Sequence, residues 1–236
     1  MRGDAPRRAA RVLLDAFFPG RCALCGEWLA PEGAAQPLCA TCALTLRPAE
    51  GPTCQRCGVR LISEHEVCMR CRGAGFVFAQ NTALLAYAGD ARVVLNAFKF
   101  SGRLRLARFF ADLAAAAIGT AGAIPIVPVP SRPRRRTPDP VGLVARALAR
   151  ERGFRVLRLL ERTGGAQQKT LDLDQRRENL LGRIRLSRRA DAGPVPEELI
   201  LLDVVFTTGA TLDACARVLV ASGCRCVRGL TLVIEE

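Results

Sequence analysis

The chain of 236 residues is long enough for one full domain and one small module, because domains usually span roughly 100–200 residues. Of these residues, 50% are hydrophobic and 24% are charged, which excludes a disordered chain and indicates a globular protein with a packed core. The net charge of +13 favours contacts with phosphate groups or another polyanion.

The N-terminal segment, residues 1–18, and the longest uncharged run both argue against a membrane anchor. Residues 6–17 predict a short amphipathic lead-in helix with a proline in its first turn. They contain no apolar core followed by a small-residue cleavage site, so we expect no signal peptide. The uncharged run at residues 113–131 contains three prolines and two glycines, which indicates a helix end and a buried strand instead of a transmembrane segment. We therefore expect a cytoplasmic protein.

Eight of the eleven cysteines form four Cys-x-x-Cys pairs between residues 22 and 71. Each pair points two thiolates at one place, and two pairs complete a tetrahedral sulfur shell around a zinc ion. The gaps of 13 and 10 residues within the two halves are typical of zinc ribbons. We predict a double zinc-ribbon module at residues 19–75 with two structural zinc ions. In sequential pairing the ligands are Cys22, Cys25, Cys39 and Cys42 in one site and Cys54, Cys57, Cys68 and Cys71 in the other.

Several alternatives to this zinc assignment stay open. The pairs could cross between the halves, and an iron–sulfur cluster is a minor rival. Disulfides fit a cytoplasmic chain poorly. His65, the single histidine, could replace a ligand, although eight cysteines already fill two sites and an exposed loop histidine is the simpler interpretation. Cys215, Cys224 and Cys226 are expected to be small buried apolar residues.

After residue 76, short apolar runs alternate with helical stretches, which predicts an α/β domain at residues 76–236 with a mainly parallel sheet. We expect five strands in one sheet, at residues 82–87, 124–129, 155–160, 199–203 and 226–233. The expected helices lie at residues 90–99, 103–118, 140–151, 172–181 and 210–221.

The most informative segment of this domain is residues 199–211, an apolar strand that ends in an aspartate before a hydroxyl-rich turn and a helix. The free amides and the dipole of a helix N-terminus converge at such a turn, and threonine hydroxyls add donors, which predicts a phosphate site. Gly209 would let the backbone close around the anion, and Asp203 would stand where ligands bind in open α/β sheets. The alternative is an ordinary helix with a threonine N-cap. The predicted site residues are Asp203, Thr207, Thr208, Gly209, Ala210 and Thr211.

Two arginine groups form the candidate polyanion surface. One follows a Pro-Val-Pro segment, which keeps it outside the sheet; it could face pyrophosphate, a nucleic-acid backbone or solvent. The other lies on and after the predicted helix at residues 172–181. Phe98 and Phe100, beside Lys99, could stack bases, although phenylalanines at a helix end are more often core residues. The polyanion candidates are Arg132, Arg134, Arg135, Arg136, Lys99 and Arg176.

The order and spacing of these motifs resemble the ComF family of bacterial competence proteins. The resemblance begins at the Phe-Pro-Gly-Arg-Cys-Ala-Leu-Cys segment and includes Tyr87-Ala-Gly-Asp-Ala-Arg92, Phe98-Lys99-Phe100-Ser-Gly-Arg103, Val127-Pro-Val-Pro130 and the Thr-Thr-Gly-Ala-Thr turn. It implies an N-terminal zinc-binding segment joined to a type I phosphoribosyltransferase-like domain, with helices on both faces of a parallel sheet. It also implies a role with incoming single-stranded DNA in natural transformation, together with competence-machinery proteins.

By this resemblance, residues 207–211 would hold the 5-phosphate of phosphoribosyl pyrophosphate and Asp203 would bind the ribose hydroxyls. The loop after Pro130 would receive pyrophosphate, with Mg²⁺ bridging pyrophosphate and ribose oxygens. Two departures weaken catalysis: Val204 stands where the family usually has a second acid, and Arg136-Thr-Pro-Asp-Pro140 replaces Arg-Gly-Phe-Asn-Gln. We expect a ligand site of reduced competence, with an active transferase or a ligand-sensing adaptor as alternatives.

Overall fold

The structure of the chain is a computed structural model that describes residues 20–29, 36–46, 51–62, 66–101, 103–119, 124–131, 138–163, 182–187 and 194–235. The predicted lead-in helix at residues 6–17, the helix at residues 172–181 and His65 lie outside these ranges. Within the described ranges, every helix is too short or too polar to cross a bilayer.

A four-stranded parallel sheet forms the centre of the α/β domain. The six strands of the described chain are β1 (Gln80–Ala86), β2 (Ile126–Pro128), β3 (Leu160–Arg162), β4 (Ile184–Leu186), β5 (Glu198–Phe206) and β6 (Cys226–Ile234). The main sheet has the order β1-β6-β5-β2, and each neighbouring pair is parallel. The residues of β5 and β6 are apolar almost throughout, as expected for parallel strands covered on both faces.

The prediction that all strands after residue 76 share one sheet is wrong, because β3 and β4 form a separate antiparallel pair. The predicted strand at residues 155–160 is divided between the two sheets. Val156 bridges Ile126 in parallel at the edge of the main sheet, whereas Leu160 pairs with Leu186 of β4. β4 was not predicted because a strand of three residues is too short for its apolar–polar alternation to stand out from the sequence around it.

The predicted helices within the described ranges are confirmed to within three residues. The described part of the chain contains six helices, namely α1 (Ala40–Thr45), α2 (Met69–Arg72), α3 (Gly89–Phe100), α4 (Leu106–Ile118), α5 (Pro140–Arg152) and α6 (Ala210–Ala221). α5 begins with a proline, which suits a first turn, and ends at Gly153 in the left-handed conformation with φ +72°.

The sheet separates two apolar cores. Successive side chains of a strand point to opposite faces, so Ile200 and Leu202 of β5 lie in one core with α3, α4 and α5. Leu199 and Leu201 lie in the other core with α6 and the β3–β4 pair. The expected helices on both faces of a mostly parallel sheet are therefore present.

The two cysteine-rich segments pack on opposite faces of this sheet. We name residues 20–46 the first cysteine module and residues 51–72 the second cysteine module. The first belongs to the core with α3 and α4, through Cys22, Leu38 and Leu46. The second belongs to the core with α6, through Cys54 and Cys57. The modules therefore lie on either side of the sheet.

The second module also covers the outer edge of β1. The Asn81 backbone amide donates to the Arg56 carbonyl oxygen at 2.7 Å, and the Asn81 side-chain amide donates to the Cys57 carbonyl oxygen at 2.9 Å. An exposed strand edge carries unpaired backbone groups, so this module completes the sheet at that edge.

Alanine substitutions at Gly58 and Gly26 test the docking of the second module on β1. The two glycines occupy equivalent positions in the two modules, with φ +81° and +80°. An added Cβ at Gly58 would lie 2.8 Å from the Asn81 carbonyl oxygen, whereas at Gly26 no described atom lies within 4 Å. We expect Gly26→Ala to lower the free energy of unfolding by about 1–2 kcal/mol, the cost of a left-handed backbone. Gly58→Ala should cost about 3 kcal/mol or more, because it also pushes the module from β1. Urea unfolding measures both; equal losses would contradict the docking.

Candidate metal centres and ligand loop

The first candidate metal centre consists of Cys22, Cys25, Cys39 and Cys42, whose sulfur atoms all lie within 4.8 Å of one another. The Cys25 and Cys39 sulfurs are 3.9 Å apart. A tetrahedral shell with Zn–S bonds of about 2.3 Å requires sulfurs about 3.8 Å apart. The Cys39 amide points at the Cys22 sulfur at 3.4 Å, a donor that stabilises a thiolate. The donor set therefore fits zinc.

The second candidate metal centre repeats this geometry with Cys54, Cys57, Cys68 and Cys71. The Cys57 and Cys68 sulfurs lie 3.7 Å apart, and the Cys68 amide points at the Cys54 sulfur at 3.3 Å. Both groups follow the sequential pairing, so the crossed alternative is not adopted. All four ligand positions of each shell are sulfur, which is the pattern of structural zinc.

One buried thiol of each centre, Cys42 or Cys57, resists ionisation when no cation is bound. Burial raises the pKa of Cys42 to about 12, and burial raises the pKa of Cys57 to about 12 as well. Four neighbouring thiolates repel one another, whereas a divalent ion holds them together and displaces their protons. Metal binding should therefore contribute directly to the folding of each module.

Comparison with known families bears on this region. Residues 13–72 match the family described as Double zinc ribbon domain. The N-terminal region carries a double zinc ribbon. The match ends at residue 72 of the 236-residue chain, so it concerns the two cysteine modules and includes no part of the α/β domain. A search of curated proteins found no match to the chain.

The third candidate feature is residues 207–211, the segment that follows β5 and continues into the first turn of α6, which we name the threonine loop. Thr207 and Thr208 are exposed, whereas Gly209 is buried. Gly209 is the N-cap residue of α6 and has φ +77°. An added Cβ there would lie 2.8 Å from the Phe206 ring and 2.9 Å from the Phe76 ring. Glycine is therefore required for packing under the loop, whereas the sequence analysis assigned it to the anion side.

The threonine loop leaves several backbone donors free. The Ala210 amide approaches the Thr208 hydroxyl oxygen at 3.4 Å, and the Asp213 amide donates to the Gly209 carbonyl oxygen at 2.9 Å. Among the described residues, no acceptor is found for the amides of Thr208, Gly209 and Thr211. The N-cap residue is Gly209, but the Thr208 hydroxyl accepts from the first amide of α6, so the alternative of a threonine that caps the helix start is met in part. The loop has the free donors and the helix dipole that an anion site needs.

Asp203 lies three residues before the end of β5, because the strand continues to Phe206; its predicted place at the strand end is therefore wrong. Its carboxylate accepts a hydrogen bond from the Val204 amide at 2.7 Å. Burial raises the pKa of Asp203 to about 6, against the lowering effect of that amide and of Lys99. The nearby charge of Asp139 raises the pKa further. The positive charge of Lys99 on α3 therefore acts on the Asp203 carboxyl.

Asp139, the N-cap residue of α5, was missed by the sequence analysis. Its Oδ1 atom is buried with no hydrogen-bond partner among the described residues. A Cβ at Gly142 would lie 2.5 Å from the other carboxylate oxygen, so the glycine makes room for the acid. The Asp139-Pro140 pair is a sequence signal for the start of a helix. The sequence contains no signal that Asp139 would lie close enough to Asp203 for its charge to act there.

The remaining predicted site residues divide into two groups. Phe98 is 3% exposed and belongs to the core, whereas Phe100 is 58% exposed, so the core expectation holds only for Phe98. The Lys99 ammonium lies 5.5 Å from the centre of the Phe100 ring. The other polyanion candidates, Arg132, Arg134, Arg135, Arg136 and Arg176, lie outside the described residues.

The elevated pKa of Asp203 makes stability depend on pH. The folded pKa of about 6 exceeds the ordinary value of 3.8, so the carboxylate destabilises the fold increasingly as pH rises from about 4 to about 6. Asp203→Asn should therefore stabilise the protein at pH 7.5 by about 1–2 kcal/mol, after allowance for partial exposure. The gain should fall to about half of that value at pH 5, where the carboxyl is mostly protonated in the folded chain but still mostly ionised in the unfolded chain. Denaturant unfolding at the two pH values measures it; a variant less stable than wild type at pH 7.5 would show that the carboxylate is favourable.

Proposed function

We propose that the chain is a ComF-family protein whose α/β domain is phosphoribosyltransferase-like and binds phosphoribosyl pyrophosphate at the threonine loop. The observation that carries this proposal is the set of free amides at the N-terminus of α6, a helix of 12 residues. A phosphate group accepts several hydrogen bonds and is favoured by the helix dipole. The exposed hydroxyls of Thr207 and Thr208 add donors at the same place.

Asp203 would bind the ribose hydroxyls of this ligand, since a carboxylate accepts hydrogen bonds from both. Lys99 would balance negative charge beside it, because its charge already acts on Asp203. Mg²⁺ would enter with the ligand and neutralise pyrophosphate oxygens. Ligand affinity at this site should therefore rest on positioned donors and charges.

Val204 favours ligand binding over rapid turnover. The residue is 6% exposed and packs in the core with α3, α4 and α5. An acid here would be a buried charge without a partner, which is costly, so Val204→Asp is a poor test of lost catalysis. With one acid in place of the pair usual in the family, we propose a phosphoribosyl-binding protein with weak or absent transferase activity.

Titration calorimetry with phosphoribosyl pyrophosphate and Mg²⁺ tests this function. We expect saturable binding by the wild-type chain and loss of binding in Thr208→Glu, because the new carboxylate repels the phosphate. Gln80→Glu is the matched control: it adds the same charge at the start of β1, the opposite end of the parallel sheet, and should bind as wild type. Absence of binding by wild type at millimolar ligand would overturn the proposal.

A second function, the binding of single-stranded DNA, is favoured by two exposed aromatic rings that each lie close to a positively charged side chain. Trp28 is 59% exposed, and the Arg21 guanidinium lies 4.1 Å from the centre of its ring. Phe100 with Lys99 forms a similar pair. Proteins that bind single strands combine stacking rings with a basic surface, and the net charge of +13 supplies the latter. We propose that DNA is held through its backbone with bases stacked on Trp28.

Trp28 is the only tryptophan of the chain, so its fluorescence reports this contact. We expect an unstructured oligodeoxythymidine to quench the fluorescence, and the affinity to fall steeply between low and high salt. Trp28→Ala should weaken binding of a labelled oligonucleotide about tenfold, within the range of one base stack. Trp28→Phe, which keeps a ring, should retain most of the affinity. The proposal would be contradicted by an affinity that does not change with salt concentration, or by a Trp28→Ala variant that binds the oligonucleotide as tightly as wild type.

A further inference from the structure

The second cysteine module contacts the threonine loop directly. Arg70 of α2, which lies between the last two cysteines of that module, donates from Nη1 to the Thr207 carbonyl oxygen at 2.8 Å. The same group lies 3.4 Å from the Glu235 carbonyl oxygen. Arg72, two residues on, instead donates to Val67 inside its own module. Arg70 therefore joins the module to the loop, and Arg72 does not.

The residues that follow the second cysteine module pack against the buried side of the threonine loop. The Phe76 ring lies under Gly209 and stacks on the Phe78 ring with centroids 4.6 Å apart. The Val77 amide donates to the Asp213 carboxylate at 2.7 Å, and this carboxylate is only 5% exposed. Segment 70–77 thus holds the start of the loop at Thr207 and its end at the first turn of α6.

The contact with Thr207 matters for an anion. If the Thr207 carbonyl oxygen pointed toward a bound phosphate, the two would repel each other. The charge-assisted hydrogen bond from Arg70 instead keeps this oxygen pointing toward the arginine. Arg70 is exposed, and among the described residues its Nε and Nη2 groups have no protein acceptor. Its positive charge stands beside the free amides of the loop.

The first cysteine module has a different role. It packs with α3 and α4 on the other face of the sheet, and its α1 contacts α3 through a hydrogen bond from the Thr45 hydroxyl to the Asp90 carboxylate at 2.8 Å. No hydrogen bond joins the described part of this module to the threonine loop.

We propose that Arg70 is a positioning residue of the phosphate site, so that the second cysteine module, unlike the first, sets the affinity of the threonine loop for its ligand. The inference rests on the proposed function, because it concerns the same loop. Arg70 acts by fixing the Thr207 carbonyl and by placing a cation next to the phosphate. Both effects require a cation with an N–H donor at this position.

The test compares Arg70→Lys with Arg70→Gln in the full-length chain, with Arg72→Gln as the matched control. Calorimetry with phosphoribosyl pyrophosphate and Mg²⁺ should give an affinity for Arg70→Lys within about threefold of wild type. Arg70→Gln, which keeps a polar side chain without the charge, should bind about tenfold more weakly, the range of one charged hydrogen bond. Arg72→Gln should bind as wild type. Zinc content and melting temperature should be the same in Arg70→Lys and Arg70→Gln.

Three results would overturn the inference in different ways. Equal affinities of Arg70→Gln and wild type would leave the phosphate site in place and remove Arg70 from it. No binding by wild type would remove the phosphate site and the role of Arg70 together. A loss in Arg70→Lys as large as that in Arg70→Gln would show that packing of the arginine, and not its charge, supports the loop, and would also overturn the positioning role.

Discussion

The docking of the second cysteine module on β1 is the constraint on which the rest of the arrangement depends. Asn81 is 4% exposed and joins three parts of the chain. Its side-chain amide donates to the Cys57 carbonyl and to the Thr231 hydroxyl at 3.0 Å, and therefore links the module to the central strand β6. Through this residue the metal-binding fold, the sheet edge and the core form one unit, so loss of the metal should affect all three.

The two modules have the same cysteine pattern but contact different parts of the α/β domain. Each closes a shell of four sulfurs, yet the first extends the core on the side of α3 and α4, and the second packs beside α6. The difference arises from the residues between the cysteines. Arg56 donates to the Ala79 carbonyl at 2.7 Å and to the Phe76 carbonyl at 3.1 Å, so it fixes the chain as it leaves the second module. Among the described residues, the threonine loop therefore makes hydrogen bonds with the second module and not with the first.

Local patterns were sufficient for the cysteine ligands and most of the helices and strands, because spacing and apolar periodicity act over a few residues. They could not reveal contacts made by tertiary packing. Arg70 and Thr207 are hydrogen-bonded although they are 137 residues apart in the sequence. The residues around Arg70 form no motif that would predict this contact. Likewise, Gly209 suggested an anion contact, whereas its missing side chain makes room for Phe76. The short β3–β4 pair escaped detection because a three-residue strand carries almost no periodic signal.

Hydrogen exchange of the full-length chain, with zinc counted by native mass spectrometry before and after chelation, tests the central claim most directly. The account predicts two zinc ions per chain and, on their removal, loss of amide protection in β1 and in α6 from Asp213 onward, where the Asp213 amide donates to the Gly209 carbonyl oxygen. Gly58→Ala should show part of this loss with zinc bound. Unchanged protection of β1 and α6 in a chain stripped of both ions would contradict the claim that the second cysteine module holds the sheet edge and the threonine loop in place.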